Sequence, residues 1–301
     1  MQIGIIGAGK VGCSMGKYMK EHGLPVAGYF SRSVRSSEEA GTFTGTKRFK
    51  DLKSIVAACD ILCISTPDDV IGRVWSEIRE LSQEFPEACT LKNKVLCHFS
   101  GSLSSVVFSE ISSTGASGCS VHPMSAFSDK FTSYQQLKQV VFTMEGQAEA
   151  LRVMGELLTV LGNRVLQIRP ENKVLYHCSA SLVSNFMIGL YQMGLDILGQ
   201  CGINEEDARG LFGPLVENNV KDMIERGTAA ALTGPIERGD AGTVKKHLAA
   251  LCEEDGELYR RLGRKVLKVA ERKNPDRDYE NIKQILRQGC RAHIQQMEVI
   301  E

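Results

Sequence analysis

The chain of 301 residues predicts an α/β fold, a Rossmann-type doubly wound parallel sheet followed by an all-α helical domain. Three observations carry the prediction. Strand-length apolar runs alternate with helical patterns as far as about residue 168, the signature of βαβ units. No convincing strand follows Pro170. The first apolar run flows directly into Gly7-Ala8-Gly9-Lys10-Val11-Gly12, a G-x-G-x-x-G turn between a strand and a helix. The expected domains are therefore 1–168, a nucleotide-binding Rossmann domain, and 169–301, a helical domain.

The elements follow in order. Gln2–Ile6 is the first strand and Val11 to about His22 the first helix. In the turn between them, Gly7 permits the tight bend, Gly9 lets a pyrophosphate approach the backbone and Gly12 lets the helix pack closely on the strand. The helix start offers free N–H groups and a positive dipole end to phosphate. Val26–Phe30 is the second strand. An NAD site usually has a carboxylate at its end for the ribose 2′-hydroxyl. Here the end reads Ser31-Arg32-Ser33 with Arg35 behind it, and no carboxylate occurs before Glu38. Arginine is a planar cationic fork suited to a 2′-phosphate, so the expected cofactor is NADP rather than NAD.

Residues 37–46 suggest a short helix and loop, and Asp51 an N-cap for a helix over 52–59. Ile61–Ser65 reads as a parallel strand buried on both faces, ending in Ser65-Thr66-Pro67, which is expected to border the cofactor. A helix spans 70–83. Further strands are expected at 95–99, 120–122, 140–144 and 164–168, with a helix at 148–161. Beyond Pro170 the patterns give one long helix over 171–200, a second from Asn204 to Arg226 bending at Gly213-Pro214, two more at 243–251 and 255–273, and a polar, surface-lying last helix from Tyr279 to about Met297.

Bulk properties narrow the function. Hydrophobic residues make up 43% and charged residues 24%, ordinary for a globular protein, and the formal net charge is zero. Neither nucleic acid nor a membrane surface is therefore an expected partner. Ten cysteines are scattered singly without C-x-x-C spacing. That pattern fits reduced, buried thiols in a cytoplasmic protein better than a disulfide framework or a metal site. The first strand begins at once, so no leader is expected, and no apolar run reaches membrane-spanning length.

Catalytic candidates gather at the carboxyl ends of the strands, where such sheets bind ligands. Ser100-Gly101 ends one strand and His122-Pro123-Met124 the next. His122 reads either as a substrate contact or as a turn histidine bonded to a carbonyl, and His98 as a buried strand residue. The long helix is apolar almost all round, which points to burial in a domain or an interface. Against that background Lys173, His177, Ser181 and Asn185 fall at i, i+4, i+8 and i+12, one slowly drifting polar stripe. The stripe either faces the nicotinamide in a cleft between the domains or pins helix register. Histidine is the side chain best suited to acid–base work near neutral pH, which makes His177 a candidate, and Lys173 could serve if desolvated; the sequence does not rank them. Thr233 and Arg238, in the loop 231–240, could touch substrate, but pairing or helix capping by Glu237, Arg238 and Asp240 is favoured.

The segments GAGKVG, SRS, ISTPDD, HFSGSLSS, SVHPM, KVLYH with SN beyond it, and LTGPIERGD together resemble a family of Rossmann-like proteins assigned as oxidoreductases, whose second, helical domain is of unknown function. The resemblance spans nearly the whole chain except the last twenty or so residues. The chain is more distantly similar to pyrroline-5-carboxylate reductases, 3-hydroxyisobutyrate and 6-phosphogluconate dehydrogenases, and prephenate dehydrogenases. It implies a helical domain like that of 6-phosphogluconate dehydrogenase and a homodimer formed through it. The hydroxyacid dehydrogenases carry a catalytic lysine near the start of the long helix and a polar residue one turn on; Lys173 and His177 match that spacing, with histidine where that family has asparagine. Prephenate dehydrogenases have a segment similar to His122-Pro123-Met124.

The resulting expectation is an NADP-dependent oxidoreductase acting on a small carbonyl, hydroxy acid or imine. Ser100, His122, Lys173, His177 and Asn185 would form the catalytic set, and no metal is expected. The rival is a non-catalytic NADP-binding sensor or scaffold.

Overall fold

Strand β1 (Ile3–Ile6) is apolar and buried along its whole length, so it needs neighbours on both edges and cover on both faces. The computed structural model, which describes residues 1–287, supplies both. Around β1 assemble β2 (Val26–Phe30), β3 (Lys47–Arg48), β4 (Ile61–Ile64), β5 (Val95–His98), β6 (Ser117–Pro123), β7 (Phe142–Gly146) and β8 (Val165–Gln167), in the order β3-β2-β1-β4-β5-β6-β7-β8. The chain divides into two compact units, Met1–Gly189 and Leu190–Glu301.

The first unit also holds α1 (Lys10–Glu21), α2 (Val34–Thr44), α3 (Leu52–Ala58), α4 (Asp68–Glu84), α5 (Ala148–Val160) and α6 (Lys173–Val183). Apolar clusters fill both faces of the sheet, one around Ile5, Tyr18 and Met144, the other around Leu62, Trp75 and Phe108. The glycine turn is sterically fixed. Gly7 has φ +109°, and a Cβ there would lie 2.8 Å from Ser65 Oγ. A Cβ on Gly12 would meet the same hydroxyl and stand 2.5 Å from the Gly7 carbonyl. Asp51 caps α3 by accepting from the Ser54 amide at 2.8 Å, as its position before the helix predicts.

Two features depart from the sequence reading. The sheet is parallel except between β6 and β7, which run antiparallel with Pro123 opposite Phe142 and Cys119 opposite Gly146. The connection 124–141 thus begins and ends at the same end of these two strands. Its only helical piece is a 3-10 segment at Ser133–Gln139, so no helix crosses a face to return the chain for a parallel strand. Second, the expected long helix is broken. After α6, Ser184 leaves the helix at φ −116°, ψ −76°, and α7 (Asn185–Gln200) starts anew. The Ser184 hydroxyl donates to the Ala180 carbonyl at 2.8 Å, a bond from serine to the preceding turn that bends helices.

The second unit contains the later part of α7 with α8 (Glu205–Arg226), α9 (Thr228–Ala231), α10 (Pro235–Arg238), α11 (Ala241–Ala250), α12 (Glu253–Lys273) and α13 (Glu280–Arg287). α8 runs through Pro214 as one element. The final helix is not surface-lying as its polarity suggests. Ile282, Ile285 and Leu286 on one stripe enter the core with Ile236, Val244, Leu267 and Tyr279. Its expected continuation to Met297 lies outside the described residues. In the loop 231–240, Asp240 caps α11 by accepting from the Thr243 amide at 2.9 Å, and Glu237 accepts from Asn274 Nδ2 at 2.8 Å.

Cys63, Cys97 and Cys119 sit in register on β4, β5 and β6, fully buried, with the sulfurs of Cys63 and Cys97 3.4 Å apart. Cys178, Cys201 and Cys252 are exposed. Among the described residues no helix is long and apolar enough to cross a membrane.

Candidate active site

A cavity of about 250 Å³ opens at the glycine turn. Its walls include Gly7, Ala8 and Gly9 from the turn, Ser31 and Arg32 from the end of β2, and Ser65, Thr66 and Pro67 from the end of β4. Leu52, Val70 and Val74 add an apolar side, and Arg73 and Glu77 extend the wall along α4. Three observations suit this cradle to a dinucleotide. No atom lies within 4 Å of where a Gly9 Cβ would stand, so the backbone there is open to a ligand. Helix α1 has no side-chain cap and no acid in its first turn, leaving the Lys10, Val11 and Gly12 end of its dipole available for phosphate. The Thr66 hydroxyl is buried without a partner. Ser65 is committed to the turn itself, donating to the Gly7 carbonyl at 3.0 Å.

Not every expected contact faces the cavity. Ser33 is the N-cap of α2, its Oγ accepting from the Ser36 amide at 3.2 Å. Arg35 turns to Glu39 at 2.8 Å with its side chain 89% exposed.

The cavity leads along the chain to the catalytic candidates. Asp68, next after Pro67, accepts hydroxyl hydrogen bonds from Ser100 at 2.7 Å and Ser102 at 2.8 Å. The Ser100 Oγ also accepts from the amides of Ser102 and Leu103, so this hydroxyl shapes the turn. The Ser100 carbonyl accepts from Lys173 Nζ at 2.7 Å, and Lys173 donates again to Ser120 Oγ at 2.8 Å. The amine is 1% exposed; burial lowers its pKa to about 8, against the pull of Glu145 and Asp68.

Two further groups converge on Gly101. A Cβ there would collide with His177 Nδ1 and lie 2.9 Å from His122 Nε2. Only glycine lets both rings approach. The two imidazoles stand 6.0 Å apart, edge to face. Burial, then the Lys173 charge, push His122 down to about 3, and the same two causes take His98 to about 4. Both rings are thus neutral at neutral pH. His122 Nδ1 hydrogen-bonds the Tyr176 hydroxyl at 2.8 Å, and His177 Nδ1 is buried without a partner.

Helix α6 is inside out. Lys173, Tyr176, His177 and Ser181 face the unit's interior at least in part, whereas Val174, Leu175, Leu182 and Val183 are exposed. Asn185 lies past the break, exposed, its side-chain oxygen held by Ser184 at 3.2 Å; the bend interrupts the straight stripe that the i+12 spacing assumes. The structure therefore gathers Ser100, His122, Lys173 and His177, and leaves Asn185 apart. Ser120, Asp68 and Tyr176 join the group without having been singled out. Ser120 is legible in retrospect, since it shares a strand face with His122 at i+2.

Fold and glycine-lined cavity together define a protein of the Rossmann class. Residues 1–123 match the Rossmann-like domain and residues 140–266 the Domain of unknown function (DUF2520); the chain is a Rossmann-like domain followed by that second domain. Similar solved structures include a Thermotoga maritima protein, at 23% identity and TM-score 0.71 over 90% of this chain and 99% of that one. A Bacteroides fragilis protein named provisionally as an NADP oxidoreductase matches at 22% and 0.66, over 89% and 98%. An imine reductase from Myxococcus stipitatus in complex with NADP+ matches at 17% and 0.60, over 90% and 93%. No curated protein sequence matches the chain significantly.

Proposed function

We propose that the protein is an NADP-dependent oxidoreductase that transfers a hydride to or from a small carbonyl, hydroxy acid or imine. One observation carries the reading: Asp68, the chain neighbour of the cavity's Pro67, is linked by hydrogen bonds through Ser100 to the buried Lys173, with two imidazoles beside it. The printed names of structural neighbours, an NADP oxidoreductase and a pyrroline carboxylate reductase and an imine reductase each with NADP bound, agree with it.

The glycine turn and the start of α1 would take the pyrophosphate, Arg32 the 2′-phosphate, and the Thr66 hydroxyl a polar edge of the cofactor. When bound, the cofactor supplies or accepts the hydride. Reduction at a carbonyl or imine carbon also needs a proton at the heteroatom. An acid–base group must reach the substrate, and the half-buried His177 is better placed for that than Lys173. Lys173 is a positioning residue in this reading. Its charge favours the neutral form of the nearby His122 ring, and its two hydrogen bonds fix α6 on the strand ends. The Tyr176 hydroxyl orients His122.

The outward apolar face of α6 is consistent with a homodimer, and the buried free cysteines with a cytoplasmic setting. The decisive test is a panel of small carbonyl compounds, hydroxy acids and cyclic imines, read by NADPH absorbance, on wild type and His177→Ala. Turnover that falls roughly 10²- to 10⁴-fold in the variant, with NADPH affinity unchanged, is the expected result. Tight NADPH uptake without turnover anywhere in the panel would favour the sensor or scaffold instead.

A further inference from the structure

The nucleotide cavity is lined by two guanidinium groups from different elements. Arg32 stands at the end of β2 and Arg73 on α4. Neither makes an ion pair or a hydrogen bond among the described residues, whereas Arg79, on the same helix, pairs with Glu110 at 2.7 Å. Arg73 stays unpaired although Asp69 and Glu77 flank it at helical spacing. Two unpaired cations on one cavity of about 250 Å³ call for an anion. Glu77 lines the same cavity; its single charge opposes an anion and is outnumbered.

The position says which anion. The pyrophosphate belongs at the glycine turn, and the end of the second strand faces the adenosine ribose. The second arginine expected there from sequence, Arg35, is paired with Glu39. The Ser33 hydroxyl is engaged as a helix cap.

We propose that Arg73 is a specificity residue that completes, with Arg32, a two-arginine clamp on the 2′-phosphate of NADP. The inference rests on the NADP reading above. Each guanidinium contributes charge-assisted hydrogen bonds that NAD, lacking the phosphate, cannot accept. The apolar side formed by Leu52, Val70 and Val74 suits the base, so discrimination between the two nucleotides falls to the arginines.

Calorimetry on the full chain tests this, with NADPH, NADH, 2′,5′-ADP and 5′-AMP as probes. Wild type should bind 2′,5′-ADP more tightly than 5′-AMP. Arg73→Ala should weaken 2′,5′-ADP and NADPH roughly 10- to 100-fold while NADH and 5′-AMP stay within about twofold. Arg73→Lys, a point charge without the fork, should fall between. Arg73 is solvent-exposed, and an unchanged melting curve would confirm folding. Equal weakening of NADPH and NADH, or none, would overturn the clamp while the cofactor reading stands. If wild type took up neither dinucleotide, the cofactor reading would fail first.

Discussion

Lys173 on α6 donates to the carbonyl of Ser100 at 2.7 Å, and so ties the helix to the carboxyl end of β5. The amine has been taken out of water to do so, and its pKa falls to about 8. An unfolded lysine titrates near 10.4. Between these values the unfolded chain binds the proton that the folded chain has released, so the contribution of Lys173 to stability rises with pH. Urea unfolding of wild type and Lys173→Met at pH 7.5, 8.5 and 9.5 should show the difference moving in favour of wild type as pH increases. A constant difference would mean that the amine is not desolvated.

The imidazoles of His98 and His122 make the opposite end of the pH range sensitive. Their folded pKa values, about 4 and about 3, lie below the ordinary histidine value near 6.5. As pH drops below about 6.5 the unfolded chain takes up protons that the folded chain refuses, and stability is lost progressively down to the folded values. His122→Asn should flatten part of this acid slope, measured by melting temperature from pH 7 to 4.

Gly101 lets its two histidines close in on the strand end by having no side chain. Gly101→Ala would push a methyl against His177 and His122. Turnover should fall about 10²-fold, the scale of a misplacement near 1 Å. The glycine-turn cavity does not include residue 101, so NADPH affinity should be retained. An alanine variant with full activity would remove the paired rings from the mechanism.

The exposed apolar side chains of α6 predict association. Val183 is 73% exposed and Leu175 72%. The double variant Val183→Glu, Leu175→Glu should shift the mass seen by light scattering from dimer to monomer without loss of helical signal. A wild type that is monomeric at micromolar concentration would refute the dimer.

Much of this architecture can be read from residues 1–168, because period and punctuation agree there. Fully apolar runs become buried strands, and Asp51 caps a helix where it should. The reversal of β7 is illegible because a strand's apolar pattern is the same in either direction; only the path of 124–141 decides. The break at Ser184 is hidden for a similar reason. Serine fits a helix acceptably, and its bond to Ala180 is a choice made on folding. In the site, Lys173 and His177 are visible as polar residues on an apolar helix. Arg73 looks like one more surface charge on an amphipathic helix, and the role proposed for it depends on the cavity that α4 shares with the end of β2. Asp68 likewise reads as a first-turn acid of α4, although its carboxylate organises the Ser100 turn.

The row of Cys63, Cys97 and Cys119 across three adjacent strands gives the sheet a built-in clock. These thiols meet solvent only when the central strands part, while Cys178, Cys201 and Cys252 react at once. Cys13, Cys59 and Cys89 are buried too, so labelling under a large excess of thiol reagent, followed residue by residue at Cys63, Cys97 and Cys119, would time the opening of the sheet with no cysteine introduced by mutation.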